Sequence, residues 1–302
     1  MGAPIKASIV IPTHNGARKI HNLLDALLNQ SCEDVEIIIV VDGSRDDTEN
    51  VLKAYQKIFE HFKIVSQKNG GRSVARNNGA RESSSELLIF YDDDMMPFPD
   101  SIQKHLDFQS SKSCILCGDP VEIFDKRKTD IQNYKAWLTA IWTGKYAEGT
   151  TRMRRDHLFF TASNCSIPKN IFWQLNGFDE HLTDAEDYEL ACRAIEQEIP
   201  VYYDKGNKAL HNENITCRSY IRRLREYSDA QTKIVRYYPE HNTTKSNMTS
   251  VRKIIYKFFA FPFWVRLIDT GFFVFVFPRP LRYRLYSIII HALANEHARV
   301  LL

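Results

Sequence analysis

Two kinds of apolar pattern alternate along the first hundred residues. Short continuous runs at residues 8–11, 35–41, 62–65 and 87–91 are rich in β-branched and aromatic side chains. They are too short for helices and read as buried strands. Between them, residues 18–30 place Ile20, Leu23, Leu24, Leu27 and Leu28 at helical spacing. A second helix is expected from a cap at Asp46 or Asp47 to about residue 59, and a third over residues 72–81. Strands that are apolar throughout, each followed by an amphipathic helix, predict an α/β architecture: a mostly parallel sheet flanked by helices.

Beyond residue 94 the alternation loosens. Helices are expected over residues 99–109, 130–142, 185–197 and 218–238, and strands over 114–123 and 158–166. Residues 145–157 read as a mobile polar loop, and residues 176–180 as a turn. Residues 201–203 and 209–210 read as two short extended pieces around a turn at Lys205-Gly206-Asn207. From residue 252 the pattern changes again. Two aromatic clusters, residues 258–264 and 272–277, are bracketed by Arg252, Lys253, Lys257, Arg266, Arg279, Arg282 and Arg284. Apolar aromatics flanked by cations describe segments lying in an anionic membrane interface. A helical subdomain packed on the rest of the chain is the other reading. No repeat or low-complexity linker divides the chain.

Composition narrows the classes. Across 302 residues, 44% hydrophobic and 25% charged content is ordinary for a globular protein. A net charge of +3, with no nucleic-acid-binding motif, argues against a nucleic-acid partner. Only Cys114 and Cys117 of the six cysteines have metal-like spacing, and they lie in an apolar run without a second pair. They read as strand-core residues in a reducing compartment. The apolar run at residues 7–11 is too short for a signal peptide, and no run reaches the roughly 18 residues of a membrane-spanning helix. The expected location is cytoplasmic, with peripheral attachment to the cytoplasmic membrane face through the C-terminal region.

Chemistry gathers where the strands stop. They end in Thr13-His14-Asn15, Asp42-Gly43-Ser44 and Asp92-Asp93-Asp94. In a parallel sheet such ends share the carboxyl edge, where open α/β sheets bind ligands. If the chain stays extended, Asp92 and Asp94 point to one side and Asp93 to the other. Two carboxylates on one side make half of a site for Mg²⁺ or Mn²⁺ carrying a phosphorylated substrate.

Several blocks in order then carry a resemblance. Residues 9–15, 36–44, Ala75-Arg76-Asn77, Tyr91-Asp92-Asp93-Asp94, Gly177-Phe178-Asp179-Glu180 and Glu186-Asp187-Tyr188-Glu189-Leu190 occur as in family 2 glycosyltransferases. Over about residues 7–215 the chain is similar to these inverting enzymes of the GT-A (nucleotide-diphospho-sugar transferase) fold. The resemblance implies a catalytic domain over residues 1–215, with a nucleotide-sugar half at about 1–98 and an acceptor half at about 99–215. Residues 216–302 form a helical C-terminal extension. The donor implied is a nucleotide-diphospho-sugar, UDP-sugars favoured, and the acceptor a hydroxyl of a glycan or lipid-linked glycan.

Carried over by position, Pro12, Thr13, His14, Asn15 and Ser44 line the nucleotide loops, and Asp42 meets the base edge. Arg72 and Arg76 face the nucleotide, with Asp92 and Asp93 near the donor. Asp94 is the direct ligand of Mn²⁺ or Mg²⁺, with Asp92, and with His211 unless that is an exposed histidine before a helix. Asp187 matches the general base. Asn164 and Glu186 fall on the acceptor side, although Glu186 and Asp187 also suit a helix first turn. Trp137, Trp142 and Trp173 read as core first and as sugar-stacking platforms second. His14 stands where tyrosine is more usual, Val41-Asp42 where paired aspartates are common, and Tyr188-Glu189 where an x-Asp is frequent. A nucleotidyltransferase is a second enzymatic reading, and an inactive carbohydrate-binding protein a non-enzymatic one. The first would favour a glycine-rich, basic first loop, which residues 13–17 are not. The intact Asp92, Asp94 and Asp187 argue against the second.

Overall fold

The structure, a computed structural model, describes residues 4–110, 112–125, 127–237 and 250–294. Tyr238 and the side chains of Arg252 and Lys253 lie outside the described residues. Nine strands form one sheet: β1 (Ala7–Thr13), β2 (Val35–Asp42), β3 (Phe62–Gln67), β4 (Leu87–Tyr91), β5 (Met95–Pro97), β6 (Ile115–Val121), β7 (Thr150–Arg152), β8 (Asn164–Pro168) and β9 (Val201–His211). The helices are α1 (Ile20–Leu28), α2 (Thr48–Tyr55), α3 (Arg72–Glu82), α4 (Ser101–Gln109), α5 (Asp130–Thr143), α6 (Lys169–Gln174), α7 (Glu186–Glu196), α8 (Cys217–Tyr237), α9 (Ser250–Phe259), α10 (Phe263–Asp269), α11 (Phe272–Val276) and α12 (Arg279–Ala294).

The strand order is β3-β2-β1-β4-β8-β6-β9-β5, with β7 also on β9. The first four strands are parallel, as their apolar continuity predicts. Beyond β4 the sheet is mixed. β8 runs antiparallel to both β4 and β6, β6 and β9 are parallel, and β5 and β7 are antiparallel to β9.

Three local expectations are corrected. Residues 145–157 are not simply a loop, because Thr150–Arg152 pairs with β9 and Arg155–His157 makes a 3-10 turn. The strand expected from residue 158 begins only at Asn164. Before it, Thr161 and Ser163 bond each other through their hydroxyls at 2.9 Å. The expected turn at Lys205-Gly206-Asn207 is absorbed into the continuous β9. The register against β6 jumps from Gly118↔Asp204 to Asp119↔Lys208, and Asp204 Oδ1 accepts the Gly206 N–H at 2.9 Å.

The chain divides into two compact units, Met1–Val121 with Thr143–Asn212, and Glu122–Trp142 with Glu213–Leu302. In the first unit, strand alternation sends neighbours to opposite faces of the sheet. Ile9, Ile11, Ile37, Ile39, Ile89 and Tyr91 pack with Ile20, Leu23, Leu24 and Leu27 of α1. Val10, Leu88 and Phe90 pack with Phe172, Phe178 and Leu190 on the other side. Trp173 packs partly buried against this second cluster. Cys114, just before β6, and Cys117 within it are buried, and all six thiols are free.

The second unit has its own core, in which Ile131 and Tyr134 of α5 meet Ile221, Val265, Ile268, Tyr283, Tyr286 and Ile290. Trp137 packs against this core, whereas Trp142 is half exposed. Arg282 reaches back to α5, donating from Nε to Asp130 Oδ2 at 2.7 Å and from Nη2 to Oδ1 at 2.8 Å. Among the described residues, no helix is long and apolar enough to cross a membrane.

Candidate active site at the carboxyl edge of the sheet

The parallel neighbours β2, β1 and β4 end together within the first unit, and their polar ends interlock. Pro12 and Thr13 are buried at the end of β1, and His14 and Asn15 are exposed beyond them. Asn15 adopts φ 50°, its N–H donates to Ser44 Oγ at 2.9 Å, and its Oδ1 accepts the Arg45 N–H at 2.8 Å. The two loops therefore brace each other. Gly16 is required by close approach, since a Cβ there would lie 2.1 Å from Thr13 Oγ1. His14 Nδ1 bonds the Asp42 carbonyl at 2.7 Å.

Asp42 is only 5% exposed. Its carboxylate accepts Gln67 Nε2 at 2.8 Å and the N–H groups of Gly70 at 2.8 Å and Gly71 at 2.9 Å. It thus fixes the loop that enters α3, and three of its roughly four acceptor positions are taken. Asp46, rather than the N-cap residue Asp47, serves the start of α2, accepting the Thr48 N–H at 3.2 Å.

The acid triplet does not stay extended. A bond from Met95 N to Asp92 O at 3.1 Å turns the chain, and the three carboxylates meet four side-chain partners, Lys19 being shared. Asp92 Oδ1 accepts from Arg76 Nη2 at 2.5 Å. Asp93 accepts from Thr13 Oγ1 at 2.6 Å and pairs with Lys19 Nζ at 2.7 Å. Asp94 Oδ1 lies 3.4 Å from His211 Nε2, and its Oδ2 lies 3.8 Å from Lys19 Nζ. Burial is the largest influence and works to raise the Asp92 carboxyl, but the charge and hydrogen bond of Arg76 together with the charge of Arg72 outweigh it, leaving Asp92 below the ordinary carboxylate value. Burial, with Asp94 beside it, pushes Asp93 up to about 6.

Arg76, expected to face the nucleotide, is instead 1% exposed and joins two elements. Its Nη1 donates to Glu186 Oε1 at 2.5 Å, so an Asp92–Arg76–Glu186 chain ties β4 to α7 through α3. Arg72 and Arg81 of this helix are exposed instead, and Glu186 and Asp92 favour the charge of Arg72. Asn164, expected on the acceptor side, is also a correction. It is fully buried, with Oδ1 bonded to His105 Nε2 at 2.9 Å and Nδ2 donating to Asn207 O at 3.0 Å. Its place at the start of the inner strand β8 points it into the polar layer beneath α4.

Asp187 sits in the first turn of α7. Its Oδ1 accepts the Tyr188 N–H at 2.7 Å and its Oδ2 the Ala162 N–H at 3.2 Å. Burial first, and the neighbouring Glu186 charge second, push its carboxyl up to about 6. The helix entry is strained, since Ala185 holds φ 58°, a left-handed conformation costly for a residue with a Cβ. That twist sends Glu186 to Arg76 while leaving Asp187 mostly buried but not fully enclosed.

Lys19 was missed by sequence reading. It immediately precedes the apolar stripe of α1, where a single lysine has no spacing to mark it. Among the described residues, no three His, Cys, Asp or Glu side chains form a metal cage. At the strand ends, Asp94 and His211 form a carboxylate–imidazole pair, on the turn before β5 and the end of β9. One or two such donors suit a hard cation whose remaining ligands come from a diphosphate and water.

The profile of Glycosyl transferase family 2 matches residues 8–175, more than half of the chain. The chain belongs to this family. A curated relative, validoxylamine A glucosyltransferase of Streptomyces hygroscopicus subsp. jinggangensis (strain 5008), is 29% identical over 221 residues, covering 64% of this chain and 52% of that protein. The chain spans about half or less of the length of several other curated relatives. The mannosyltransferase of Pyrobaculum calidifontis, solved with GDP-Man and Mn²⁺, superposes with a TM-score of 0.64 at 15% identity, covering 99% of this chain and 87% of that one. S. aureus TarS, solved with UDP-GlcNAc, superposes with a TM-score of 0.53 at 17% identity, covering 96% and 89%. These likenesses show the fold, which is GT-A.

Proposed function

We propose that this family-2 protein transfers a sugar, with inversion, from a nucleotide-diphospho-sugar to a hydroxyl of a glycan or lipid-linked acceptor. The observation that carries the reading is the Asp92–Arg76–Glu186 chain. It holds the strand-end acids and the helix bearing Asp187 in one constellation. The nucleotide lies across the ends of β1 and β2, against His14, Asn15, Asp42 and Ser44. UDP is favoured, and solved GT-A neighbours hold UDP-GlcNAc or GDP-Man.

Asp94 and His211 would hold Mn²⁺ or Mg²⁺, which would supply positive charge against that growing on the leaving diphosphate. Mn²⁺ in the mannosyltransferase neighbour supports a divalent ion. Asp92, fixed by Arg76, orients the donor. Arg72, Lys19 and the N-terminus of α3 attract the phosphates. Asp187 accepts the acceptor hydroxyl's proton, typically worth about 10²–10⁴-fold in rate. A carboxyl raised toward 6 is a stronger base than an ordinary one while still ionised at neutral pH. The finer reading places the reaction at the cytoplasmic face of a membrane, consistent with six free thiols.

The test is a screen of UDP- and GDP-sugars for thermal stabilisation with and without Mn²⁺, followed by product formation with the best donor. Stabilisation by one donor, abolished by chelation and by Asp94→Ala, is expected. Full transfer after exhaustive chelation would remove the metal from the reading, and no response to any nucleotide-sugar would remove the reading itself.

A further inference from the structure

An ordinary surface helix of a globular protein turns a polar face to water. α10 and α11 do not. In α11 only Phe273 points into the core, while Phe272, Val274, Phe275 and Val276 are exposed, Phe275 at 89%. Phe263 in α10 is 61% exposed beside buried Val265 and Ile268, and Phe258 in α9 is 59% exposed. Leu281 of α12 is 53% exposed. Among the described residues, twelve exposed large apolar side chains fall between Ile254 and Ile288, against three in the whole first unit. Scattered exposed apolar residues need no explanation, but this concentration does.

Charge accompanies it. Residues 250–294 carry seven Lys and Arg against the single acid Asp269, a net of +6 in a chain whose total is +3, which leaves −3 for the rest. Asp269 is engaged, accepting the Cys217 N–H at 2.5 Å. Lys257, Arg266, Arg279 and Arg284 are all exposed, and among the described residues none meets a carboxylate. A second copy of this face would set cation against cation, so self-association is disfavoured. Among the described residues, no helix here is long and apolar enough to cross a bilayer.

We infer that the exposed aromatic face of α9–α11 inserts into the interface of an anionic lipid bilayer, with Lys257, Arg266, Arg279 and Arg284 on the headgroups. This deepens the reading above, on which it rests only for the lipid-linked acceptor. Trp264, half-buried among Phe258, Phe259 and Phe273, reports on the depth of insertion.

The experiment sediments the full chain with phosphatidylcholine vesicles, with and without phosphatidylglycerol. Binding about tenfold or more tighter to the anionic vesicles is expected, weakening as salt rises from about 0.05 to about 0.5 M. Brominated lipid should quench the wild type more than Trp264→Phe. Phe272→Ser/Phe275→Ser should lose roughly tenfold or more of the vesicle affinity while its melting and its stabilisation by nucleotide-sugar stay unchanged. That last readout separates this surface from the catalytic reading, since either can fail alone. Wild-type protein left in the supernatant, unchanged binding by the double variant, or a dimer in solution that the double variant converts to monomer would each overturn the inference.

Discussion

Asp187 has two backbone N–H donors holding its carboxylate and a pKa pushed up to about 6. A base must be unprotonated, so transfer should rise with pH through about 6 and level off above it. Asp187→Asn keeps the size and some hydrogen bonding but cannot accept the proton. Its turnover should fall about 10²-fold or more, with donor affinity within a few-fold. The acid limb of the remaining rate should also disappear. A limb that persists unchanged would pass the role to Asp184, because Glu186 is committed to Arg76. Asp42 gives the opposite signature. Asp42→Ala removes the acceptor of Gly70 and Gly71, so calorimetry should show weakened donor binding with less effect on turnover of bound donor. The motif blocks single out both aspartates as candidates. They do not reveal that Asp42 is a structural clamp, because Gln67, Gly70 and Gly71 come from the next strand and loop.

Between elements, the buried Arg76 chain couples β4, α3 and α7. Arg76→Met would leave Asp92 and Glu186 without their hydrogen-bonded cation, Arg72 being the cation still nearby, a loss of roughly 3–5 kcal/mol for a broken buried pair. In the wild type Arg76 holds Asp92 below its ordinary value. That stability is present above the unfolded pKa and is lost as pH falls through the folded one. In the variant, an uncompensated buried carboxylate binds its proton more tightly folded than unfolded, so acidification favours the folded variant. The stability gap, measured by urea unfolding, should narrow as pH falls toward about 4. A gap that widens on acidification would mean that Arg76 contributes packing rather than charge. The parallel strands were legible because burial on both faces writes an unbroken apolar run. The antiparallel half was not, since β8 is five residues long and β9 passes through Lys205-Gly206-Asn207, residues that spell a turn in isolation.

Across the whole molecule, chain order and packing part company. Residues 122–142, which lie within the expected acceptor half, join the compact unit built by residues 213–302. The sequence shows α5 as an amphipathic helix but not its partner, because Asp130 and Arg282 are 152 positions apart. Their two charge-assisted bonds are mostly buried, with side chains 9% and 11% exposed. Arg282→Met leaves Asp130 with a long 3.4 Å bond from Tyr283 Oη, and should cost roughly 3–5 kcal/mol. Each unit has its own hydrophobic core, so heating should show two steps rather than one. Arg282→Met should lower one step alone. Nucleotide-sugar with Mn²⁺, at a hundredfold excess over its dissociation constant, should raise the other by about 2.7 kcal/mol. Scanning calorimetry of wild type and variant, each with and without donor, tests both shifts together. A single transition moved by the substitution and by the donor alike would show that the two cores unfold as one cooperative unit.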